Sequence, residues 1–194
     1  IYDWNSSSYS ASDLNTAYAA PAFVEITADL TINWDQTIDL DIDVDPNMDL
    51  PAGTKLYVAI VEKKTTLNVG SNGETEFDWV MKKMLPDAGG KTLAAITNGS
   101  THTENMSYEF KGNFRLPNNA GDPINHAIEH SVEEFSDLIA VVWLQNPATN
   151  MIYQSAYSSV TIGIDEADVE ALALNIYPNP ASDVLNIEFN NAES

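Results

Sequence analysis

The chain has 194 residues, enough for one sizeable core, and carries 29 acidic against eight basic side chains, a formal charge of −21. That balance opposes binding to a phosphate backbone, where affinity comes from cations that displace counterions, and makes nucleic acid and anionic membrane poor partners. The absence of cysteine excludes disulfides, thiolate zinc sites and thiol catalysis, and no uncharged run reaches the roughly 20 apolar residues of a membrane span.

Ile1-Tyr2-Asp3-Trp4 has neither an initiator Met nor the pattern of a signal peptide, so the expected beginning lies inside a longer precursor. Residues 1–21, rich in Ser, Ala and Asn with no clean period, are expected to form a lead-in segment lying over the surface or a sheet edge. Phe23, Ile26, Leu30 and Ile32 then mark a first strand, and Trp34-Asp35-Gln36 a turn. The next strand alternates strictly from Ile38 to Asp45, which turns Ile38, Leu40, Ile42 and Val44 inward and Asp39, Asp41, Asp43 and Asp45 to water.

After a loop from Pro46 to Gly53, Leu56 to Val61 is an apolar strand, followed by a long polar loop over residues 65–76. Phe77 to Leu85 fits either a helical turn or an edge strand guarded by its lysines. Leu93 to Ile96 and Met106 to Leu116 read as two further strands. Residues 124–137 fit both a helical and a strand period. They lead into Leu138 to Leu144, a run too short for a free-standing helix and rich in β-branched residues, expected to be a central strand covered on both faces. Asn146-Pro147-Ala148-Thr149-Asn150 is a hairpin turn that returns the chain through Met151 to Ile162.

Seven to eight short strands without a sustained helical period predict a mainly β fold, an immunoglobulin-like antiparallel β-sandwich over residues 22–162. The Cys and Trp hallmark of antibody domains is missing, so the name describes architecture. An acidic linker is expected over 163–173. Residues 174–194 form a short C-terminal β appendage: a strand, a turn fixed by Pro178 and Pro180, and an alternating strand.

Within that appendage, Tyr177-Pro178-Asn179-Pro180-Ala181-Ser182-Asp183 followed by Val184-Leu185-Asn186-Ile187 resembles the opening of the type IX secretion system C-terminal sorting domain of Bacteroidota. The resemblance implies export of a folded cargo to the medium or outer-membrane surface of a Gram-negative cell, with the secretion machinery as partner. Tyr177, Pro178, Asn179, Pro180, Ala181 and Asp183 would carry the motif, and the chain stops at Ser194 before the family's later strands. Three stretches between Ile38 and Ile162 resemble the C-terminal β-domain of Omp28-related outer membrane proteins. They are Lys55-Leu56-Tyr57-Val58-Ala59-Ile60-Val61-Glu62, Val80-Met81-Lys82-Lys83-Met84-Leu85-Pro86 ahead of Gly89, and Val141-Val142-Trp143-Leu144-Gln145-Asn146 running into Tyr153-Gln154-Ser155-Ala156. In that family such a domain often follows a thioredoxin-like domain, of which nothing is visible here.

Two constellations invite chemistry. His126-Ala127-Ile128-Glu129-His130 matches the His-x-x-Glu-His string of inverted zinc metallopeptidases, which needs a helix to put both imidazoles on one face. No second helix with a third ligand is in sight, so the string is taken as a chance match, with no catalytic residue assigned. Asp39, Asp41, Asp43 and Asp45 are weak candidates for calcium, yet carboxylates two apart on a strand sit roughly 7 Å from one another. A solvated strand face is the simpler account, and no cofactor is expected. Trp143 is assigned to the core or its margin and Trp79 to the surface. The expected protein is a non-catalytic secreted or surface module with a structural, adhesive or accessory role; the rivals are a carbohydrate- or protein-binding module and a metal-dependent hydrolase.

Overall fold

A computed structural model describes residues 10–19, 22–67, 73–117, 121–163, 173–177 and 186–190. Strict alternation builds the first two strands, β1 (Val24–Ile32) and β2 (Thr37–Pro46), which pair antiparallel from Val24↔Pro46 to Ile32↔Ile38. Every second residue of the hairpin is buried, from Val24, Ile26, Ala28, Leu30 and Ile32 on one strand to Ile38, Leu40, Ile42 and Val44 on the other. The period-two reading of this region therefore holds residue by residue.

The chain continues through β3 (Lys55–Thr65), β4 (Phe77–Leu85), β5 (Lys91–Thr92), β6 (His102–Glu109), β7 (Asn113–Phe114) and β8 (Glu129–His130). A 3-10 turn at Phe135–Asp137 then precedes β9 (Leu138–Gln145), β10 (Ile152–Tyr157) and β11 (Ser159–Ile162). Two main sheets result: a first with strand order β11-β1-β2-β6, and a second with order β10-β9-β3-β4, to which β5 adds beside β3, while β7 and β8 form a separate short parallel pair. Their inner faces share one apolar core that includes Leu30, Ile42, Leu56, Ile60, Phe110, Leu138 and Leu144. Each such side chain contributes on the order of 1.5–3 kcal/mol by leaving water.

The last strand changes sheets. The Ser158 backbone N–H donates to the Ala140 carbonyl (2.9 Å) and the Ala140 N–H donates to the Ser158 hydroxyl (3.0 Å). Pairing with β9 ends there, and β11 runs parallel to β1 across the sandwich. This is the mainly β, immunoglobulin-like sandwich that the turn spacing predicted. Beyond it, β12 (Ala173–Tyr177) and β13 (Asn186–Asn190) pair as an antiparallel hairpin.

Four local readings change. The lead-in holds a helix, α1 (Ala11–Tyr18), started by a reciprocal cap in which the Ser10 N–H and hydroxyl donate to the Asp13 carboxylate (2.9 and 2.8 Å) while the Asp13 N–H points back to the Ser10 oxygen (3.3 Å). Phe77 to Leu85 is a strand, but its lysines do not guard its edge. A register shift after Ile60 turns Lys82 into the interior and sets Lys83 over the Tyr108 ring at 5.1 Å. Instead of a strand over Leu93 to Ile96, a single bridge joins Ile96 to Leu50. The strand expected from Met106 to Leu116 begins earlier, at His102, and breaks at Gly112, whose φ of 70° reverses the chain before β7.

Candidate functional site

The histidine string lies on no helix. The Ile128 and Glu129 N–H groups donate to the Asn125 carbonyl (2.9 and 3.1 Å), closing one turn, after which Glu129 and His130 enter β8. Arg115 holds Glu129 in a two-pronged pair (2.7 and 2.8 Å) and also donates to Asp122 (2.7 Å) and the Pro123 carbonyl (2.9 Å). The Arg115 guanidinium, helped by the Asn125 N–H, lowers the Glu129 pKa to about 2. A carboxylate so engaged is a poor general base.

His130 is buried among Phe110, Phe114 and Phe135, all edge-on with ring centroids 5.3–6.4 Å away, and its Nδ1 accepts the Val132 N–H (3.2 Å). Burial pushes its pKa down, and burial followed by the charge of Lys83 does the same to His126. Among the described residues no group of three His, Asp or Glu side chains is placed to hold a metal ion.

Each aspartate of β2 has a separate partner. Asp39 accepts from the Asn33 amide (2.8 Å), Asp41 from Asn105, Asp43 from the Thr103 hydroxyl (2.6 Å) and Asp45 from Thr101. The row therefore belongs to a polar outer face shared with β1, β6 and β11, where Ser159 donates to Asp29. That face also carries Glu25 and Glu109, and none of its four strands contains Lys or Arg.

The outer face of the second sheet has the opposite character. Alternation on β3 turns Lys55, Tyr57, Ala59, Val61 and Lys63 outward, opposite Trp143, Val141 and Ile139 of β9 and Met84 and Met81 of β4. Tyr57 and Trp143 stack at 5.1 Å with 12° between their planes, and Gly90 closes on the Tyr57 ring, where a Cβ would approach within 2.7 Å. Trp79 takes a left-handed backbone (φ 58°), rare for a bulky residue, and its ring reaches across the face to Tyr157 of β10 (5.3 Å, 25°). Trp79 remains 50% exposed, Met81 59% and Tyr157 63%, whereas Ala59 and Val61 beneath them are buried.

This arrangement revises the expectation for the central strand. On β9 the inner residues are buried and the outer ones only half-buried, because the second cover is a single layer of aromatic side chains. Trp143 sits at the margin as expected, and Trp79 is at the surface. Sequence reasoning missed the Trp79–Tyr157 pair, since its members are far apart in the chain and meet only across two intervening strands. It also missed Lys82 and Glu62, a buried ion pair at 2.8 Å. Of the sorting motif, only Tyr177 lies within the described residues, at the end of β12; Pro178, Asn179, Pro180, Ala181 and Asp183 lie outside them.

No protein-family model and no curated protein matches the chain. Among solved structures, HBP35 of Porphyromonas gingivalis is similar over 94% of this chain and 55% of its own, with 10% identity and a TM-score of 0.53. This chain thus spans about half the length of that protein. A domain of the outer membrane lipoprotein Omp28 from Porphyromonas gingivalis is similar over 74% of this chain and 92% of its own, with 14% identity and a TM-score of 0.43. At such identities the likeness to HBP35 is one of fold.

Proposed function

We propose that this chain is a non-catalytic, cell-surface or secreted β-sandwich module, exported through a type IX secretion system, that binds a ligand on the outer face of its second sheet. The exposed Trp79–Tyr157 stack carries the reading. Large rings at half exposure cost free energy in water, and here one of them sits on a left-handed backbone rare for a bulky residue and stacks on the other. Catalysis has less support, because Glu129 is committed to Arg115 and His130 is sealed among phenyl rings. The surface address rests on the sorting motif at Tyr177 to Asp183.

Binding is tested on glycan and protein arrays with the wild type and Trp79→Asn, a substitution that tolerates the left-handed backbone. Ligands retained by the wild type and lost by the variant are expected, and arrays on which the two behave alike would refute the binding role. Export is tested by fusing residues 172–194, with any coding sequence that follows Ser194, to a periplasmic reporter in a host that has the secretion system. Appearance of the reporter outside the cell is expected, and retention in the periplasm counts against the address.

A further inference from the structure

The two sheets divide the charge unequally. Of eight Lys and Arg residues, Lys55, Lys63, Lys64, Lys82, Lys83 and Lys91 belong to the second sheet, whose strands contain only two acids, Glu62 and Asp78. Glu62 is buried against Lys82, and Asp78 pairs in register with Lys64, which binds Glu76. Lys83 turns to Tyr108 and Lys91 to Glu104. Lys55 and Lys63 have no ionic partner among the described residues, although the chain offers 29 carboxylates. Both point outward on the aromatic face, Lys63 beside Trp79 and Lys55 beside the Tyr57–Trp143 pair.

We propose that this face binds an acidic polysaccharide, with sugar rings against Trp79 and Tyr157 and carboxylate or sulfate groups on Lys63 and Lys55. The inference rests on the ligand-binding reading above and names its ligand class. Eight residues of extended chain separate the two lysines by about 26 Å, room for several pyranose rings along β3. A row of rings and aliphatic side chains suits the C–H faces of sugars, and two cations on a face whose own strands turn no acid outward select for negative charge. The total charge of −21 does not oppose this locally. The carboxylates of the first sheet lie across a sandwich about 10 Å thick, beyond the screening length of about 8 Å at physiological ionic strength.

The test is binding of the whole chain to immobilised polygalacturonate, alginate and chondroitin sulfate, with carboxyl-reduced polygalacturonate as the neutral arm and polyglutamate as the acidic-peptide arm. At least one acidic polysaccharide is expected to bind, and the two control arms are not. Lys63→Gln should weaken binding roughly threefold and Lys55→Gln/Lys63→Gln roughly tenfold, the range for solvent-facing charge pairs. Trp79→Asn should weaken it by at least about tenfold, equivalent to roughly 1.4 kcal/mol. Asp41→Asn, on the far face, should change nothing, and unchanged thermal unfolding certifies each variant. Equal binding of the carboxyl-reduced polymer, equal binding of polyglutamate, indifference to the double lysine substitution, or failure of all three acidic polymers would each overturn the inference. In those cases a Trp79-dependent ligand on the arrays would leave the binding reading standing, and its absence would remove both.

Discussion

Glu62 and Lys82 provide the sharpest quantitative test of how the sandwich holds its irregular segment. The Glu62 side chain is fully buried and that of Lys82 is 4% exposed, with 2.8 Å between the charges. Glu62 also accepts the N–H groups of Glu133 (3.1 Å) and Glu134 (2.6 Å), and Lys82 donates to the Ser131 carbonyl (2.7 Å). The pair thus clamps residues 131–134, which enter the core strand β9, to strands β3 and β4. Lys82→Met leaves a buried carboxylate without its counter-ion, and removing one partner of such a pair costs about 3–5 kcal/mol. That is a large share of the roughly 5–15 kcal/mol that holds a domain folded. Glu62→Leu/Lys82→Met removes both charges but orphans two backbone donors, at about 1–3 kcal/mol each. The double variant should therefore lose about as much as Lys82→Met and far less than the sum of the two single variants, a coupling energy of several kcal/mol. Urea unfolding of the four proteins in the cycle measures it, and amide exchange at Glu133 and Glu134 reports whether the segment loosens first. A loss below about 1 kcal/mol for Lys82→Met would refute the clamp, because the orphaned carboxylate could escape only by exposure to water or by taking up a proton at neutral pH, and either costs more than that.

Three further outcomes follow from the same geometry. The Glu129 pKa of about 2 is depressed from 4.5, so the Arg115 pairing stabilises the fold above pH 4.5 and that contribution is lost as pH falls toward 2. In Arg115→Met a carboxyl NMR titration should find Glu129 near its ordinary value, and an unmoved titration would remove Arg115 as the cause. His130 has its pKa lowered by burial, so its neutral form favours folding and stability should decline as pH drops below 6.5. His130→Phe should flatten that part of the melting profile, and an unchanged slope would assign it elsewhere. Gly112→Ala, whose Cβ would meet the Ile128 carbonyl at 1.8 Å on a φ of 70°, should cost about 2–4 kcal/mol by denaturant unfolding. Gly53→Ala, with φ 92° and nothing within 4 Å, should cost only about 1 kcal/mol, and equal losses would show that crowding at Gly112 is relieved.

The parts of the fold legible in the sequence are those written by local periodicity. Ile38 to Asp45 could form nothing but a half-buried strand, since shifting it by one residue would turn four carboxylates into the core. Leu138 to Leu144 was recognisable as a central strand from its β-branched run. What stayed hidden depends on pairing. Residues 124–137 fitted two periods because they form neither element at length: Asn125 closes one turn, β8 is two residues long, and Glu134 accepts the Ser136 N–H (3.2 Å) to start a 3-10 turn. Lys82 read as an edge guard because nothing in its own stretch announces the register shift that turns it inward.

The aromatic face shows why the candidate site was the least legible part. Tyr57, Ala59 and Val61 belong to a run that reads as interior on both sides, and in a parallel sheet covered by helices it would be. In this sandwich only one side of β3 meets the opposite sheet, so the other must be sealed by side chains alone. Trp79, from β4, and Tyr157, from β10, supply that seal and so cannot be fully buried themselves, since nothing packs above them among the described residues. A face that must hide aliphatic side chains under rings is left with exposed rings, and beside them stand Lys55 and Lys63, which have no ionic partner among the described residues, while Asp29, Asp39, Asp41, Asp43 and Asp45 crowd onto the opposite sheet. Structural need accounts for the rings; it does not account for that division of charge, which leaves the second sheet without ion pairs it could have formed and is the observation on which the proposed acidic ligand rests.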